Sequence, residues 1–179
     1  RRKIGSRSES LAFTPDGKYL MAIVRSGQQY LEKLSLPDLK TVDKWSCSVH
    51  PNVFAISGDG RRLVAADANE IALYSLPAMK QLIYENRIRG RIRCVALNQD
   101  GSRIYAGCDN GSLFAWDLRG AASTDKLPPP IVMSTGTQEV TSLGISRDDR
   151  AVVTTNSGSL QVWHAAQIDA VPQKLPRTV

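Results

Sequence analysis

Four arginines alternate with apolar or small residues in one segment, Arg87-Ile88-Arg89-Gly90-Arg91-Ile92-Arg93. In an extended chain, alternate side chains share a face and lie about 6–7 Å apart along it. This spacing approximates that of successive phosphates, and a guanidinium group binds phosphate through two parallel hydrogen bonds. The pattern therefore predicts a basic stripe that contacts RNA phosphates or another polyanion, formed by Arg87, Arg89, Arg91 and Arg93.

The charge of the whole chain favours such a partner. Its 179 residues include 23 lysines and arginines and 17 acidic residues, which gives a net charge of +6. A second basic cluster contains Arg1, Arg2, Lys3 and Arg7. A simpler interpretation of the stripe stays open, because charged side chains on an outer strand also protect a sheet edge. No aromatic residue interleaves with the four arginines, so the segment lacks a platform on which bases could stack.

Other residues that carry chemistry are few and scattered. The two histidines, His50 and His164, are each isolated in sequence. Cys47, Cys94 and Cys108 are an odd number without Cys-x-x-Cys spacing, which argues against a disulfide framework and against a zinc site. No Gly-x-Ser-x-Gly elbow, phosphate-binding glycine loop or carboxylate cluster is present. The sequence therefore predicts a protein that is not an enzyme and needs no metal or cofactor.

Four aspartates look like catalytic or calcium-binding acids until their spacing is considered. Asp16, Asp59, Asp100 and Asp148 are separated by 43, 41 and 48 residues, and each lies between two short apolar runs. A period of about 40–45 residues is typical of four-stranded propeller blades. Recurrence at one position predicts that these aspartates form turns, together with the residues that follow them, Gly17, Gly60, Gly101 and Asp149.

The third repeat shows how each unit is built. Residues 94–98 and 103–108 are apolar runs on either side of the aspartate turn, and residues 112–118 form a third run. Asp109-Asn110-Gly111 supplies the residues of a tight hairpin between the second and third runs. A weaker run at 130–134 is the expected outer strand. Because the apolar residues alternate or fall in short runs bounded by turns, the fold class is predicted to be all-β.

Three segments resemble the WD-repeat family of β-propellers. They are Phe13-Thr14-Pro15-Asp16-Gly17-Lys18-Tyr19-Leu20, Asp109-Asn110-Gly111-Ser112-Leu113-Phe114-Ala115-Trp116-Asp117-Leu118 and Gly158-Ser159-Leu160-Gln161-Val162-Trp163. The resemblance covers about residues 10–165, through divergent repeats of which one has the Trp-Asp pair. It implies about four blades of four antiparallel strands that are part of a larger closed propeller. The residues that carry the repeat are Asp16, Gly17, Asp59, Gly60, Asp100, Gly101, Asp148, Trp116, Asp117 and Trp163.

The repeats also divide the chain. Residues 1–9 are expected to form a basic connecting segment, and residues 166–179 a C-terminal linker or tail. The four blades between them occupy about residues 10–46, 53–87, 93–135 and 140–165. The family usually closes with more blades than four, so the resemblance implies that missing chain or a partner supplies the remainder. A small propeller closed by pairing residues near Ile4 with the last blade is the alternative.

The resemblance implies a non-enzymatic scaffold that presents loop surfaces to other proteins within a multi-subunit complex. The contact loops would join each outer strand to the next blade, at residues 45–52 and 87–93. Trp45 is either an exposed aromatic anchor on an outer strand or buried against the neighbouring blade. The alternative function is a ribonucleoprotein subunit that contacts RNA phosphates through the stripe from Arg87 to Arg93.

Composition bears on where the protein works. At 42% hydrophobic residues the chain can bury a core, and no apolar run approaches the ~20 residues of a membrane span. No targeting pattern is visible, and the cysteines do not form a disulfide framework. The sequence therefore predicts an intracellular protein, cytoplasmic or nuclear, without a transmembrane segment.

Overall fold

The computed structural model describes residues 7–26, 28–119, 126–135, 137–156 and 158–164, which form strands β1 to β15 and no helix. Strands that follow one another in sequence pair antiparallel in four separate sheets, which we call blades 1 to 4. The predicted all-β class is confirmed.

Blade 1 comprises β1 (Arg7–Phe13), β2 (Tyr19–Ser26), β3 (Gln28–Ser35) and β4 (Thr41–Trp45). Blade 2 comprises β5 (Val53–Ile56), β6 (Arg62–Asp67), β7 (Glu70–Ser75) and β8 (Lys80–Glu85). Blade 3 comprises β9 (Ile92–Leu97), β10 (Arg103–Cys108), β11 (Ser112–Asp117) and β12 (Ile131–Thr135). Blade 4 comprises β13 (Ser142–Ile145), β14 (Ala151–Asn156) and β15 (Ser159–His164).

These bounds lie close to those that the sequence predicts. In the third repeat each strand begins or ends within two residues of its expected position. The first strand begins at Arg7, so residues 7–9 belong to blade 1 rather than to the N-terminal segment. The rest of that segment, Ile4 included, and the predicted tail at 166–179 lie outside the described residues.

Turns with a positive φ join the first and second strands of each blade. Gly17, Gly60 and Gly101 adopt φ values of 68°, 71° and 68° directly after their aspartates. Asp149 takes the same place in the fourth repeat, with φ 58°. Aspartate tolerates the left-handed region better than most residues because its short side chain hydrogen-bonds locally. The fourth turn therefore keeps the conformation of the others without a glycine.

The central strands of blades 2 and 3 are buried on both faces, because each of these blades lies between two others. In β6, Leu63 and Ala65 pack toward blade 1, while Val64 and Ala66 pack toward blade 3. All four side chains are almost fully buried. Successive side chains of a strand point to opposite faces, so a strand with two buried faces reads as an unbroken apolar run. The run in β10 has the same cause, since Tyr105 faces blade 4 and its neighbours face blade 2.

One position in the third strand of each blade shows how the stack is ordered. Tyr74 packs between blades 1 and 2, Trp116 between blades 2 and 3, and Trp163 between blades 3 and 4. Each of these aromatic side chains therefore points toward the preceding blade. Leu34 is the equivalent residue of blade 1, and it is buried in a small cluster on the outward face of that blade.

Each of the two end blades has large exposed apolar side chains on its outward face. On blade 1, Leu11 and Phe13 lie opposite Ala22 and Leu20 of that outward cluster, and each is 62% exposed. On blade 4, Leu160 and Val162 are 63% and 55% exposed, on the face of β15 opposite to Trp163. Large apolar side chains of a soluble protein are seldom grouped on an exposed sheet face. These two faces have the character of half-formed blade interfaces.

Hydrogen bonds between turns add to the apolar contacts between blades. The Asp59 amide donates to the Gln99 carbonyl at 2.8 Å, and the Gln99 amide donates to Oδ1 of Asp149 at 3.0 Å. A third bond runs from Nη1 of Arg62 to the Gly101 carbonyl at 2.9 Å. The aspartate turns of blades 2, 3 and 4 are thereby joined in series along one edge of the stack.

Blade packing predicts a large cost for adding one methyl group at Gly107. A Cβ at this position would lie 2.4 Å from Cγ1 of Val140 and 2.8 Å from Sγ of Cys94. We expect Gly107→Ala to lower the free energy of unfolding by about 1–3 kcal/mol, the usual cost of overpacking. Gly144→Ala is the control, because a Cβ there would meet nothing within 4 Å. Urea denaturation followed by tryptophan fluorescence compares the two, and equal effects would contradict the packing described.

Candidate interaction surface

The arginine-rich segment lies between blades 2 and 3, as a loop rather than a strand. Strand β8 ends at Glu85 and β9 begins at Ile92, and we call residues 86–91 between them the arginine loop. Gly90 adopts a φ of 100°, which is outside the extended region. The segment is therefore not the continuous extended chain that the sequence predicted, because the conformation of Gly90 interrupts it.

The four arginines also differ in their partners. Arg93 belongs to β9, and its guanidinium forms an ion pair with the carboxylate of Glu139. Arg87, Arg89 and Arg91 are exposed, and within the described ranges their side chains have no hydrogen bond or ion pair. Three cations of the predicted stripe are thus accessible to a ligand, and the fourth is already paired.

Backbone hydrogen bonds hold the arginine loop between two hairpins. On one side, the amides of Ile88 and Ile92 donate to the carbonyls of Asn69 and Ala68, at 3.2 and 2.6 Å. These two carbonyls belong to the hairpin between β6 and β7. On the other side, the Arg91 carbonyl accepts from the amide of the β10–β11 hairpin residue Asp109, and its amide donates to the carboxylate of that residue. The exposed arginines therefore project from a backbone whose position is fixed.

Trp45 lies at the corresponding place between blades 1 and 2. It is half-buried and packs against the apolar cluster that these blades share. With Tyr19, Lys33 and Pro77 it lines a cavity of about 210 Å³. Both interpretations of this residue are thus partly met, since its side chain packs on the cluster shared with the next blade and remains partly accessible.

The loop that follows Trp45 is fastened to blade 2. The hydroxyl group of Tyr74 accepts a hydrogen bond from the Ser48 amide at 3.0 Å and lies 2.8 Å from the Ser48 hydroxyl. Val49 is fully buried in the same interface, whereas His50 is exposed. Burial raises the pKa of the Cys47 thiol and of the Tyr74 phenol. These two groups stay neutral at physiological pH, so neither adds a charge beside this loop.

The four repeated aspartates accept hydrogen bonds within their own turns. In blade 1, Oδ1 of Asp16 accepts from the Thr14 hydroxyl at 2.5 Å and from the Lys18 amide at 3.1 Å. The same bonds form around Asp59 and Asp148, from Ser57 and Ser146. Hydrogen bonds to the charged form lower the pKa of Asp16, and the same cause acts on Asp148. The aspartates are therefore engaged in turns and are not aligned at one site.

Sequence reasoning missed the residue two places before each aspartate. Its side chain closes the turn by accepting a hydrogen bond from the amide five residues later, at 2.8–3.1 Å. The four residues are Thr14, Ser57, Asn98 and Ser146. The signal was available, because every repeat has a short polar side chain at this position and such side chains bond to nearby amides.

The two residues of the Trp-Asp pair in blade 3 have different roles, since the tryptophan packs in the core and the aspartate forms ion pairs. Trp116 is buried between blades 2 and 3. Asp117 forms a bidentate ion pair with Arg119 and lies 3.4 Å from Nη2 of Arg103. The Arg119 hydrogen bonds are the main cause that lowers the pKa of Asp117 to about 2. In blade 4, Nε1 of Trp163 donates to the Thr154 hydroxyl at 3.0 Å instead.

In the part of the chain that the structure describes, no three or more His, Cys, Asp or Glu side chains are grouped to hold a metal ion. Cys47, Cys94 and Cys108 are free thiols, and burial raises the pKa of the last two to about 11 and about 12. No helix among the described residues has the length and apolar character to cross a bilayer.

Comparison with known proteins agrees with this geometry. A family model, "WD domain, G-beta repeat", matches residues 82–117, which run from β8 to the end of β11. A search of the curated proteins finds no match.

Many solved structures share the fold, and two of them show the degree of similarity. The Kuenenia stuttgartiensis hydrazine synthase is 16% identical with a TM-score of 0.69, over 93% of this chain and 49% of that chain. U3-55K is 17% identical with a TM-score of 0.71, over 93% of this chain and 51% of that chain. The chain thus spans about half the length of these structures. The predicted resemblance to WD-repeat propellers and the propeller-like fold are confirmed.

The ion pair of Asp117 predicts a specific loss of stability in acid. A carboxyl whose pKa is lowered by folding stabilises the folded state at neutral pH, and this contribution is lost as the pH falls from about 4 to about 2. After allowance for solvent screening, we expect Asp117→Asn to cost about 1–2 kcal/mol at pH 7 and much less at pH 2.5. Urea denaturation at both pH values measures this difference. Asp43→Asn, at an exposed position in β4, is the control, and parallel pH profiles for Asp117→Asn and the parent chain would contradict the assignment.

Proposed function

We propose that this chain, which carries a WD repeat and folds as propeller blades, is a non-enzymatic scaffold that binds other proteins within a larger complex. The observation that carries the proposal is the arginine loop. Its backbone is hydrogen-bonded to hairpins of two blades, while Arg87, Arg89 and Arg91 remain exposed. A surface whose cations are held in place before a partner arrives loses little conformational entropy on binding.

A second part of the proposal concerns the rest of the propeller. Further blades, from missing chain or from a partner, cover the exposed apolar faces of blades 1 and 4. Leu34 identifies this face on blade 1, because it occupies the place from which aromatic residues contact the preceding blade elsewhere, and its own side chain is already buried within the blade. The exposed side chains of Leu11 and Phe13 would complete that interface.

The competing function is a ribonucleoprotein subunit that contacts RNA phosphates. The three exposed arginines of the loop favour it, since they have no acidic partner in the described ranges. Binding of this kind releases counterions, so it falls steeply with salt concentration and depends on each phosphate contact. The intracellular location, cytoplasmic or nuclear, stays a prediction for both functions.

Purification with and without nuclease separates the two functions. The tagged full-length protein is isolated from its source cells, and its partners are identified by mass spectrometry. We expect a stable set of proteins that survives nuclease and is depleted at least fivefold by the combined change Arg89→Glu and Arg91→Glu. Arg61→Glu is the control for charge reversal at the surface, because Arg61 is exposed in the aspartate turn of blade 2. Partners that vanish with nuclease would support the RNA-bound assembly instead.

Coverage of the end blades has its own test. Truncation of a buried aromatic residue usually costs about 3–5 kcal/mol, whereas surface substitutions change stability by about 0.5 kcal/mol or less. In the full-length protein we therefore expect Phe13→Ala to lower the free energy of unfolding by several kcal/mol. Val132→Ala is the control, because Val132 is 50% exposed but does not lie on an end face. A bare outward face would leave the two variants equally stable.

A further inference from the structure

A concave apolar surface lies beside the arginine loop. It encloses about 510 Å³ between this loop, strand β11 and the residues that precede β12. We call it the proline groove, and its apolar lining includes Ile88, Phe114, Leu127, Pro129, Pro130 and Val132. Val132 is 50% exposed, and Pro129 and Pro130 are exposed as well. An incoming side chain therefore meets apolar atoms on more than one side of the groove.

The walls of the groove are fixed by contacts on both sides. Leu127 packs against the apolar cluster between blades 2 and 3. On the other side of the prolines, Ile131 and Val132 pair with Ala115 and Phe114 of the neighbouring strand. The wall between these attachments, residues 128–130, consists of three prolines. Proline has no backbone N–H, so this wall offers no donors to a ligand and presents mainly hydrocarbon.

The opposite wall is cationic. Arg87 and Arg89 line the groove, are exposed, and have no ion pair in the described part of the chain. Glu85 is the acidic residue of the lining, but its Oε1 already accepts hydrogen bonds from the amides of Asn86 and Arg87, each at 3.0 Å. The two guanidinium groups are thus available to an external anion, and a carboxylate can bind a guanidinium group through two parallel hydrogen bonds.

The two aromatic residues that line the groove bear on whether its ligand is a peptide or a nucleic acid. Phe114 and Trp116 are 7% and 1% exposed, because they belong to the core between blades 2 and 3. Their ring faces are therefore covered, and a base has no exposed ring on which to stack. An aliphatic or aromatic side chain needs only apolar contact, which the groove provides. The chemistry favours a peptide over RNA.

We propose that the proline groove binds an extended acidic segment of a partner protein. One apolar side chain of the segment lies between Val132 and the prolines, and flanking carboxylates pair with Arg87 and Arg89. The prolines prevent the segment from adding to the sheet as a strand at this point, so apolar contact and charge supply the recognition. This inference rests on the proposed scaffold function and names the class of partner for it.

The test uses short labelled peptides and the full-length protein, with binding followed by fluorescence anisotropy. Each peptide has one central leucine, isoleucine, phenylalanine or tryptophan flanked by glutamates. Matched peptides carry either serine in place of the glutamates or alanine in place of the apolar residue. We expect the acidic apolar peptides to bind at least about tenfold more tightly than both matched sets, and affinity to fall with added salt.

Variants assign the binding to the groove. The combined change Arg87→Gln and Arg89→Gln should weaken binding about tenfold, since both side chains are exposed and their loss leaves the fold intact. Val132→Glu should also weaken it about tenfold or more, while Val132→Ile should retain it. Arg61→Gln controls for general charge, and circular dichroism confirms that each variant is folded. If neither the arginine variant nor Val132→Glu changes the affinity for the peptides, the proposal is overturned.

The remaining outcomes separate this proposal from the scaffold function. Nuclease-resistant partners that persist in the Val132→Glu variant would leave the scaffold function standing and overturn the groove as the binding site. If an RNA oligonucleotide binds, depends on the arginines and ignores Val132, the acidic-peptide proposal is overturned in favour of phosphate contacts. A protein without nuclease-resistant partners would contradict the scaffold function itself, whatever the peptides do.

Discussion

A sheet with two apolar faces must be covered on both sides, and this constraint governs the whole molecule. Blades 2 and 3 have buried apolar side chains on both faces, and neighbouring blades cover them. Burial of apolar surface contributes about 25 cal/mol per Å². Most of that surface is removed from water only when blades stack. Each blade is therefore stable as a member of a series rather than alone. The exposed Phe13 and Val162 mark where the described series stops.

The same constraint determines where recognition can occur. Because sheet faces are used for stacking, exposed charge is left to the outer strands and to turns and loops at the edges of the blades. The arginine loop shows the result, since its amides and carbonyls bond to hairpins of blades 2 and 3. Stacking thus does two things at once: it buries the apolar faces and it fixes the geometry of the loops between them. Binding and stability depend on the same contacts.

Much of the fold could be predicted because it repeats within one chain. Four aspartate turns at similar spacing gave the period, and the apolar runs between them gave strands within about two residues. The arginine stripe could not be predicted in the same way, since it does not repeat. Its geometry depends on Gly90, which is left-handed, and on Glu139, which is far away in sequence. Local alternation carries no information about either.

The proline groove was beyond sequence reasoning for the same physical reason. Residues 128–130 and the arginine loop are distant in sequence and meet only because blades 2 and 3 stack. Proline at the entry to an outer strand removes amide donors from an exposed sheet edge, and this discourages unspecific strand pairing. The same prolines leave an apolar wall opposite two unpaired cations. Prolines that discourage strand pairing therefore favour a second kind of association, the binding of a peptide segment. In this binding, side-chain contact and charge replace backbone hydrogen bonds.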